Sequence, residues 1–156
     1  MSLLFFLILT IGGGLLIGFF ARPDEWYANL AKPWFTPPSG IFAPVWTLLY
    51  IMIAVAGWRS FAHDPLGPAM IVWTIALALN FSWSPIFFGL NKPVVSFCVI
   101  VTLLAMIMTF IGLTWPQDAL SAVLFVPYAA WTLFAALLNA AICRLNSPNR
   151  EFHLDH

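Results

Sequence analysis

Charge is the scarcest property of this sequence. Only 8% of its 156 residues are Asp, Glu, Lys or Arg, whereas soluble domains contain about 25%. Hydrophobic residues make up 62% and the mean hydropathy is +0.95. These values exclude a soluble globular domain, and they exclude a disordered chain because disorder requires low hydrophobicity. Six basic residues balance six acidic ones, so the chain has no basic patch with which to bind nucleic acid.

Ionisable and metal-binding groups are missing from the apolar parts of the chain. The three histidines, His63, His153 and His156, lie outside those parts, which argues against a haem or metal site inside a membrane. No charged residue lies in the middle of an apolar run, and such residues usually mark pumps and ion-coupled carriers. Phosphate-binding and hydrolase motifs are absent, and we expect Cys98 and Cys143 to be small buried thiols. We therefore expect no required cofactor.

The sequence does contain five continuous apolar runs, each about long enough to cross a bilayer as a helix. They lie at about 3–21 (span 1), 41–61 (span 2), 68–90 (span 3), 94–115 (span 4) and 120–145 (span 5). Continuous rather than alternating hydrophobicity favours helices over strands. We predict an all-α integral membrane protein in which residues 1–150 form one five-transmembrane-helix bundle. The polar tail 151–156 is either native or added by cloning.

The basic residues divide unequally between the two sides of such a bundle. Five spans place the termini on opposite sides, and Arg59 is the one basic residue on the N-terminal side. The opposite side holds the other five: Arg22, Lys32, Lys92, Arg144 and Arg150. By the positive-inside rule, the C-terminus and the loop 22–40 lie in the cytoplasm if the protein resides in a bacterial inner membrane.

The loop 22–40 is unusually stiff and aromatic. Five residues in it are proline or glycine that restrict or punctuate the backbone: Pro23, Pro33, Pro37, Pro38 and Gly40. It also carries four aromatic side chains: Trp26, Tyr27, Trp34 and Phe35. Two interpretations are open. The loop is either a lid over an internal site or part of an aromatic belt at the lipid headgroups.

Aromatic and neutral polar side chains recur at helical spacing on three spans, so that each set shares one helix face. The sets are Trp46, Tyr50, Ile53 and Gly57 on span 2; Asn80, Ser84 and Phe87, with Trp83, on span 3; and Tyr128, Trp131, Ala135 and Leu138, with Asn139, on span 5. An asparagine in hydrocarbon needs a partner, so Asn80 should face the bundle interior. Ordinary aromatic packing explains any one stripe. Together they favour a site for a flat, apolar ligand.

Small residues at four-residue spacing predict close helix contacts. Gly14 and Gly18 form a G-x-x-x-G pattern in span 1, and Thr74, Ala78 and Ser82 form a similar ladder in span 3. Either pattern can pack helices within one protomer or between two protomers, and the sequence does not decide between these.

Four motifs in order give the chain a family resemblance. They are W-Y-x-x-L-x-K-P-x-F-x-P-P at 26–38, P-V-W-x-x-L-Y at 44–50, L-N-x-x-W-x-P-I-F-F-G at 79–89, and P-Y-x-x-W with a later L-N between 127 and 139. Together with five spans, they make the chain resemble the TspO family, the tryptophan-rich sensory proteins related to the mitochondrial translocator protein. The resemblance covers nearly the whole chain, and the sequence looks like a bacterial member.

The resemblance implies a ligand pocket beneath the loop after span 1, often in a homodimer. The implied ligands are porphyrins such as protoporphyrin IX, isoquinoline carboxamides and benzodiazepines. The implied binding residues are Tyr27, Trp46, Asn80, Trp83, Phe87, Trp131, Ala135 and Leu138. Trp46 and Trp131 match the two tryptophans linked to light-dependent porphyrin breakdown. The sterol motif of animal members needs a tyrosine that the stretch from Leu138 to Arg144 lacks, so sterol recognition by that route is not expected.

Three functions remain open at this point. The first is a porphyrin-binding membrane receptor or sensor, with photochemical breakdown of the bound porphyrin as an extension. The second is a facilitative transporter of porphyrins or other apolar small molecules, since no coupling group is present to drive transport. The third is a scaffold that signals ligand occupancy to another protein. Enzyme activity stays undecided.

Overall fold

The computed structural model describes residues 1–147, and five long helices run through them. Each is long and apolar enough to cross a membrane, which confirms the predicted all-α integral membrane architecture. The helices begin and end within two residues of the predicted limits: Leu3–Phe20, Ser39–His63, Pro68–Gly89, Pro93–Thr114 and Ala119–Leu145. The tail 151–156 and Arg150, which entered the charge count, lie outside the described residues.

Two spans depart from regular α-helix. Span 1 contains a π-helical segment at Ile8–Gly12, and span 3 ends in another at Pro85–Gly89. In the second segment, the Leu90 amide donates a hydrogen bond to the Pro85 carbonyl at 2.9 Å. Such segments change the direction of a helix face and occur frequently at functional sites. Here both lie in spans that border the cavity described below.

The spans are arranged around the bundle in the order 1–2–5–4–3. Span 4 packs between spans 3 and 5, span 5 packs against span 2, and span 1 closes the ring against spans 2 and 3. The loop between spans 1 and 2 contains a short helix, Glu25–Asn29, whose first turn is capped by Asp24 accepting the Tyr27 amide at 3.1 Å. We call the side of the bundle that carries this loop the loop face.

The half of the bundle away from the loop face is solidly packed. The Phe110 and Phe125 rings stack with centroids 4.0 Å apart. Trp73 packs so closely on Gly57 that a Cβ added at Gly57 would lie 2.3 Å from the indole ring. The Trp73 Nε1 also donates a hydrogen bond to the Ile53 carbonyl at 2.9 Å. This filled half leaves the half nearer the loop as the place where the spans separate.

Candidate ligand site

A cavity of about 490 Å³ lies in the half of the bundle nearer the loop face. Its volume is in the range of pockets that enclose drug-sized ligands. All five spans contribute to its wall, which combines large rings with a few neutral polar groups. Among the lining residues are Trp46, Tyr50, Asn80, Trp83, Thr132 and Ala135.

The eight predicted binding residues fall into three places. Four of them line the cavity: Trp46, Asn80, Trp83 and Ala135. Three others belong to an apolar cluster directly beneath the loop: Tyr27, Phe87 and Leu138. Trp131 packs against Phe42, a cavity-lining residue, with ring centroids 5.8 Å apart. The structure therefore brings four of the eight to the cavity itself, and ligand contact with any of the eight stays a prediction.

Asn80 joins three spans at the floor of the cavity. Its Oδ1 accepts a hydrogen bond from the Tyr50 hydroxyl at 3.0 Å, and its Nδ2 donates to the Tyr128 hydroxyl at 3.0 Å. The Asn80 side chain thus faces the bundle interior. An unpaired polar group there would be destabilising, and both polar atoms of Asn80 have partners. The network fixes the Tyr50 ring, which in turn stacks on Trp46 with centroids 5.5 Å apart and an interplanar angle of 29°.

A second asparagine orients the other cavity indole. Asn139 Oδ1 accepts from Trp83 Nε1 and from Ser96 Oγ, both at 3.2 Å, while its Nδ2 donates to the Pro93 carbonyl at 2.8 Å. The Trp83 ring is also stacked on Phe87, with centroids 5.2 Å apart. With its N–H bound and one face covered, Trp83 presents a pre-oriented flat surface, which lowers the entropic cost of binding a planar ligand.

The loop covers the cavity end of the bundle with aromatic side chains. Trp26 and Tyr27 contact the buried Phe87 ring edge-on, at centroid distances of 5.9 and 6.0 Å. Phe35 contacts Phe134 of span 5 at 6.3 Å. In contrast, Trp34 is 95% exposed. Three of the four loop aromatics therefore pack as a lid would, and Trp34 has the position expected of a belt residue.

Polar contacts latch the loop to the end of span 5. The Asn146 side-chain amide accepts from the Ala31 amide and donates to the Ala31 carbonyl, both at 3.0 Å. Lys32 donates to the Ala28 and Leu30 carbonyls and lies over the Tyr27 ring at 4.6 Å. Partial burial in this cluster raises the pKa of the Tyr27 phenol above its usual value, so Tyr27 stays neutral.

The two tryptophans linked by resemblance to photochemistry have different surroundings. Trp46 lines the cavity directly. Trp131 does not, and its buried Nε1 has no hydrogen-bond partner among the described residues. An unpaired buried N–H is uncommon and costs about 1–3 kcal/mol. Trp131 is therefore held by its ring contacts with Phe42 and Phe134 rather than by a polar partner.

An ion pair closes the opposite side of the bundle. Arg59 of span 2 donates to both carboxylate oxygens of Asp118, just before span 5, at 2.8 and 2.9 Å. The hydrogen bonds from the guanidinium lower the pKa of Asp118 to about 2. Ser121 donates a further bond to the same carboxylate. This pair lies far from the cavity and links two spans at the face away from the loop.

Several cavity residues are missing from the predicted set. The sequence did indicate Tyr50 as a candidate lining residue, because it lies on the aromatic stripe of span 2. No sequence pattern indicated two other lining residues, Thr132 beside Trp131 and Arg22 just after span 1. Apart from Phe19, the residues that span 1 contributes, such as Leu15 and Ile17, are small or aliphatic. In a membrane helix such residues look the same whether they face a ligand or lipid, so the sequence could not single them out.

These features define a class: a five-helix integral membrane protein with an aromatic cavity beneath a latched loop. Residues 5–145 match the TspO/MBR family, and the chain belongs to that family. It is 35% identical over 129 residues to the tryptophan-rich sensory protein of Cereibacter sphaeroides, covering 83% of this chain and 82% of that protein. It is 38% identical over 127 residues to the tryptophan-rich protein TspO of Archaeoglobus fulgidus (80% and 82%). It is 34% identical over 137 residues to the translocator protein of Ovis aries (81% and 78%).

Proposed function

We propose that this protein is a membrane receptor that binds protoporphyrin IX and other flat, apolar ligands in the cavity beneath the loop. The observation that carries the proposal is the cavity wall, in which the rings of Trp46, Tyr50 and Trp83 surround a space of about 490 Å³. Rings of this kind bury large flat surfaces and stack on other π-systems. Hydrogen bonds already fix the Tyr50 and Trp83 rings, so little order has to be gained on binding.

The polar groups in the wall suit a ligand with a few hydrogen-bonding atoms. Thr132 is almost fully buried and its Oγ1 has no partner among the described residues. Asn80 is held in place by two tyrosine hydroxyls. A ligand that meets the Thr132 hydroxyl removes an unsatisfied group, which supports specific orientation as well as affinity. Binding of this kind requires no cofactor.

The same wall accounts for other ligand classes in the proposal. Isoquinoline carboxamides and benzodiazepines are flat, neutral and apolar, and they should compete with porphyrin for the Trp46 and Trp83 surfaces. We also propose a homodimer that pairs the outer face of span 3, where Thr74 and Ala78 are exposed and small enough for close helix contact. A bacterial host membrane, with the loop face toward the cytoplasm, completes the proposal.

Light-dependent porphyrin breakdown is a second function that one contact favours. Trp46 lines the cavity and is stacked on Tyr50. A photoexcited porphyrin bound there takes one electron from the Trp46 indole, which reduces the porphyrin and oxidises the indole by one electron each. Tyr50 then lies next to the oxidised indole as a second donor. Dioxygen then adds to the reduced porphyrin ring, and the adduct returns one electron to the oxidised indole as the ring opens, so that both oxygen atoms enter the product and Trp46 is restored.

A titration of the protein with protoporphyrin IX, read by tryptophan fluorescence in detergent, tests the receptor. It compares wild type with a Trp46→Phe, Trp131→Phe variant, corrects for inner-filter absorption and adds an isoquinoline carboxamide as competitor. A Trp34→Phe, Trp115→Phe variant is the matched control, because these two indoles are 95% and 57% exposed. We expect saturable, competable quenching that weakens only in the first variant. Non-saturable quenching, equal in all three proteins, would show partition into micelles and reject the receptor.

A further inference from the structure

One wall of the cavity faces the membrane rather than the protein. On the inner side, Asn80, Leu103 and Thr132 are buried. On the outer side, Leu15 and Phe19 of span 1 line the same cavity but are 68% and 61% exposed. Gly18 of span 1 and Ala43 and Thr47 of span 2 are exposed lining residues too. The cavity therefore opens sideways between the second half of span 1 and the first half of span 2.

The path of span 1 explains this opening. Its first half packs against span 2, and at the π-helical segment Thr10 donates to the Tyr50 carbonyl at 2.9 Å. Just beyond, Gly14 touches the Tyr50 ring and Gly13 touches Phe81 of span 3. The remainder, Gly13–Phe20, packs mainly on span 3. A Cβ added at Gly18 would meet nothing within 4 Å, so span 1 has left span 2 by that level.

The loop end of the cavity is closed by comparison. Asn146 latches the Ala31 backbone, and Trp26 and Tyr27 pack on the buried Phe87. A flat ligand passing that way would have to break the latch and separate this aromatic cluster. The sideways opening requires no such rearrangement, because its border is already exposed.

A single cation stands at the edge of the opening. Arg22 is the one charged residue among the described residues that line the cavity. Its guanidinium lies over the Phe19 ring at 4.5 Å, and it makes no hydrogen bond or ion pair within residues 1–147. Five N–H donors are thus free for an anionic group. Lys32, the nearest other cation in the loop, is already bound to two carbonyls.

We infer that the ligand enters sideways from the hydrocarbon of the loop-face leaflet, through the gap between spans 1 and 2, and that Arg22 binds its anionic end. The ligand class is a planar apolar ring system that carries a carboxylate at one edge. The ring then lies against Trp46 inside the cavity while the carboxylate stays at the headgroup level with Arg22. This inference rests on the proposed receptor function.

Binding kinetics in phosphatidylcholine vesicles test the entry route. Gly18→Phe places a ring in the gap without a backbone clash, and Gly112→Phe is the matched control, because Gly112 also has nothing within 4 Å and lies outside the cavity. With protoporphyrin IX, we expect Gly18→Phe to slow both association and dissociation by about tenfold, because the ligand passes the narrowed gap in both steps. Gly112→Phe and the unlatched Asn146→Ala should keep wild-type rates.

The outcomes of this experiment separate the route from the receptor. Wild-type rates in Gly18→Phe, or faster rates in Asn146→Ala, would place entry beneath the loop and overturn the lateral route while leaving the receptor intact. No saturable binding in any variant would reject the receptor itself and the route with it. If Gly18→Phe fails to fold, Thr47→Trp narrows the same gap from the exposed face of span 2 and is read in the same way.

A pair of ligands tests the role of Arg22. Protoporphyrin IX carries carboxylates, and its dimethyl ester has the same ring without the charge. We expect Arg22→Gln to weaken binding of the acid by about tenfold, because a charge-assisted hydrogen bond is lost, and to spare the ester. Arg22→Lys should retain part of the affinity, and Arg144→Gln, an exposed loop-face cation away from the cavity, should have no effect. Equal losses for the acid and the ester would show that Arg22 does not act through the carboxylate, and no loss would show that it does not contribute to binding; either result overturns the proposed role of Arg22.

Discussion

The amide of Asn80 donates a hydrogen bond to the hydroxyl of Tyr128 at 3.0 Å, in the buried centre of the bundle. Tyr128 is 1% exposed, and it meets Asn80 directly below the cavity. Because Asn80 also accepts from Tyr50, the contact connects spans 2, 3 and 5 through one side chain. The hydrogen bonds at the floor of the candidate site therefore also hold three spans together. Substitutions there should change both the free energy of unfolding and ligand affinity.

Tyr128→Phe should destabilise the bundle by about 1 kcal/mol, since it leaves the Asn80 amide without an acceptor in a low-dielectric interior. Unfolding of the purified protein in mixed micelles measures the loss. In the double variant with Asn80→Leu, the cost should be smaller than the sum of the two single changes, because the unsatisfied amide is gone. Additive costs would show that the two side chains do not interact energetically.

Alanine substitutions at the two glycines of the G-x-x-x-G pattern, Gly14 and Gly18, should change the stability of the protein in opposite directions. A Cβ at Gly14 would lie 2.2 Å from the Tyr50 ring, which Asn80 holds in place, so Gly14→Ala should cost about 1–3 kcal/mol by overpacking. A Cβ at Gly18 meets nothing within 4 Å, so Gly18→Ala should stabilise span 1 by up to about 1 kcal/mol through helix propensity. Thermal unfolding compares them, and similar shifts for both would contradict the close approach of span 1 to Tyr50.

The sequence predicts much of this architecture because hydrocarbon is a simple solvent. Five apolar runs translate directly into five helices, and Asn80 had to face inward because lipid offers it no partner. The same reasoning could not decide whether Gly14 packs within one protomer. The structure places it against Tyr50 of the same chain. It leaves Thr74 and Ala78 of the second small-residue pattern exposed.

The part of the site that escaped prediction depends on helix rotation and on breaks in helix geometry. Nothing in the residue types of Ile8–Gly12 predicts a π-helical segment, yet that segment lies where span 1 changes its main contacts from span 2 to span 3. Likewise, Phe87 is expected beside Asn80 on one face of span 3, but it lies in the π-helical segment Pro85–Gly89 and belongs to the cluster beneath the loop. A small rotation of a helix about its axis leaves the hydropathy pattern unchanged, but it decides whether a side chain lies in the cavity or in the adjacent cluster.

Asn146→Ala should release the loop without unfolding the bundle. The change removes both hydrogen bonds to the Ala31 backbone, each worth about 1 kcal/mol, while the apolar contacts beneath the loop remain. Hydrogen exchange followed by mass spectrometry should show faster exchange in residues 24–36 and unchanged exchange in the spans. Asn29→Ala, an exposed loop change, is the control. Unaltered exchange in Asn146→Ala would mean that aromatic packing alone holds the loop.

The Arg59–Asp118 pair should make stability depend on acid pH. The guanidinium lowers the pKa of Asp118 to about 2, so the pair stabilises the folded state above the ordinary aspartate pKa of about 4, and this contribution fades as pH falls through about 2. Asp118→Asn should cost about 1 kcal/mol at pH 7, because a partly exposed ion pair contributes little more, and should cost less near pH 2. Unfolding at both pH values measures this, with Asp64→Asn as control. A cost independent of pH would assign the loss to packing.

The light reaction should depend on Trp46 more than on Trp131. Of the two, Trp46 lines the cavity and Trp131 does not, so the Trp46 indole lies nearer to a porphyrin bound there, and electron transfer slows steeply as the donor and acceptor rings move apart. At saturating protoporphyrin IX under visible light and air, Trp46→Phe should slow the loss of porphyrin absorbance by at least about tenfold, whereas Trp131→Phe should change it much less. A dark sample corrects for thermal loss. Equal slowing in both variants would mean that Trp131, which packs against the cavity-lining Phe42, donates electrons as effectively as Trp46.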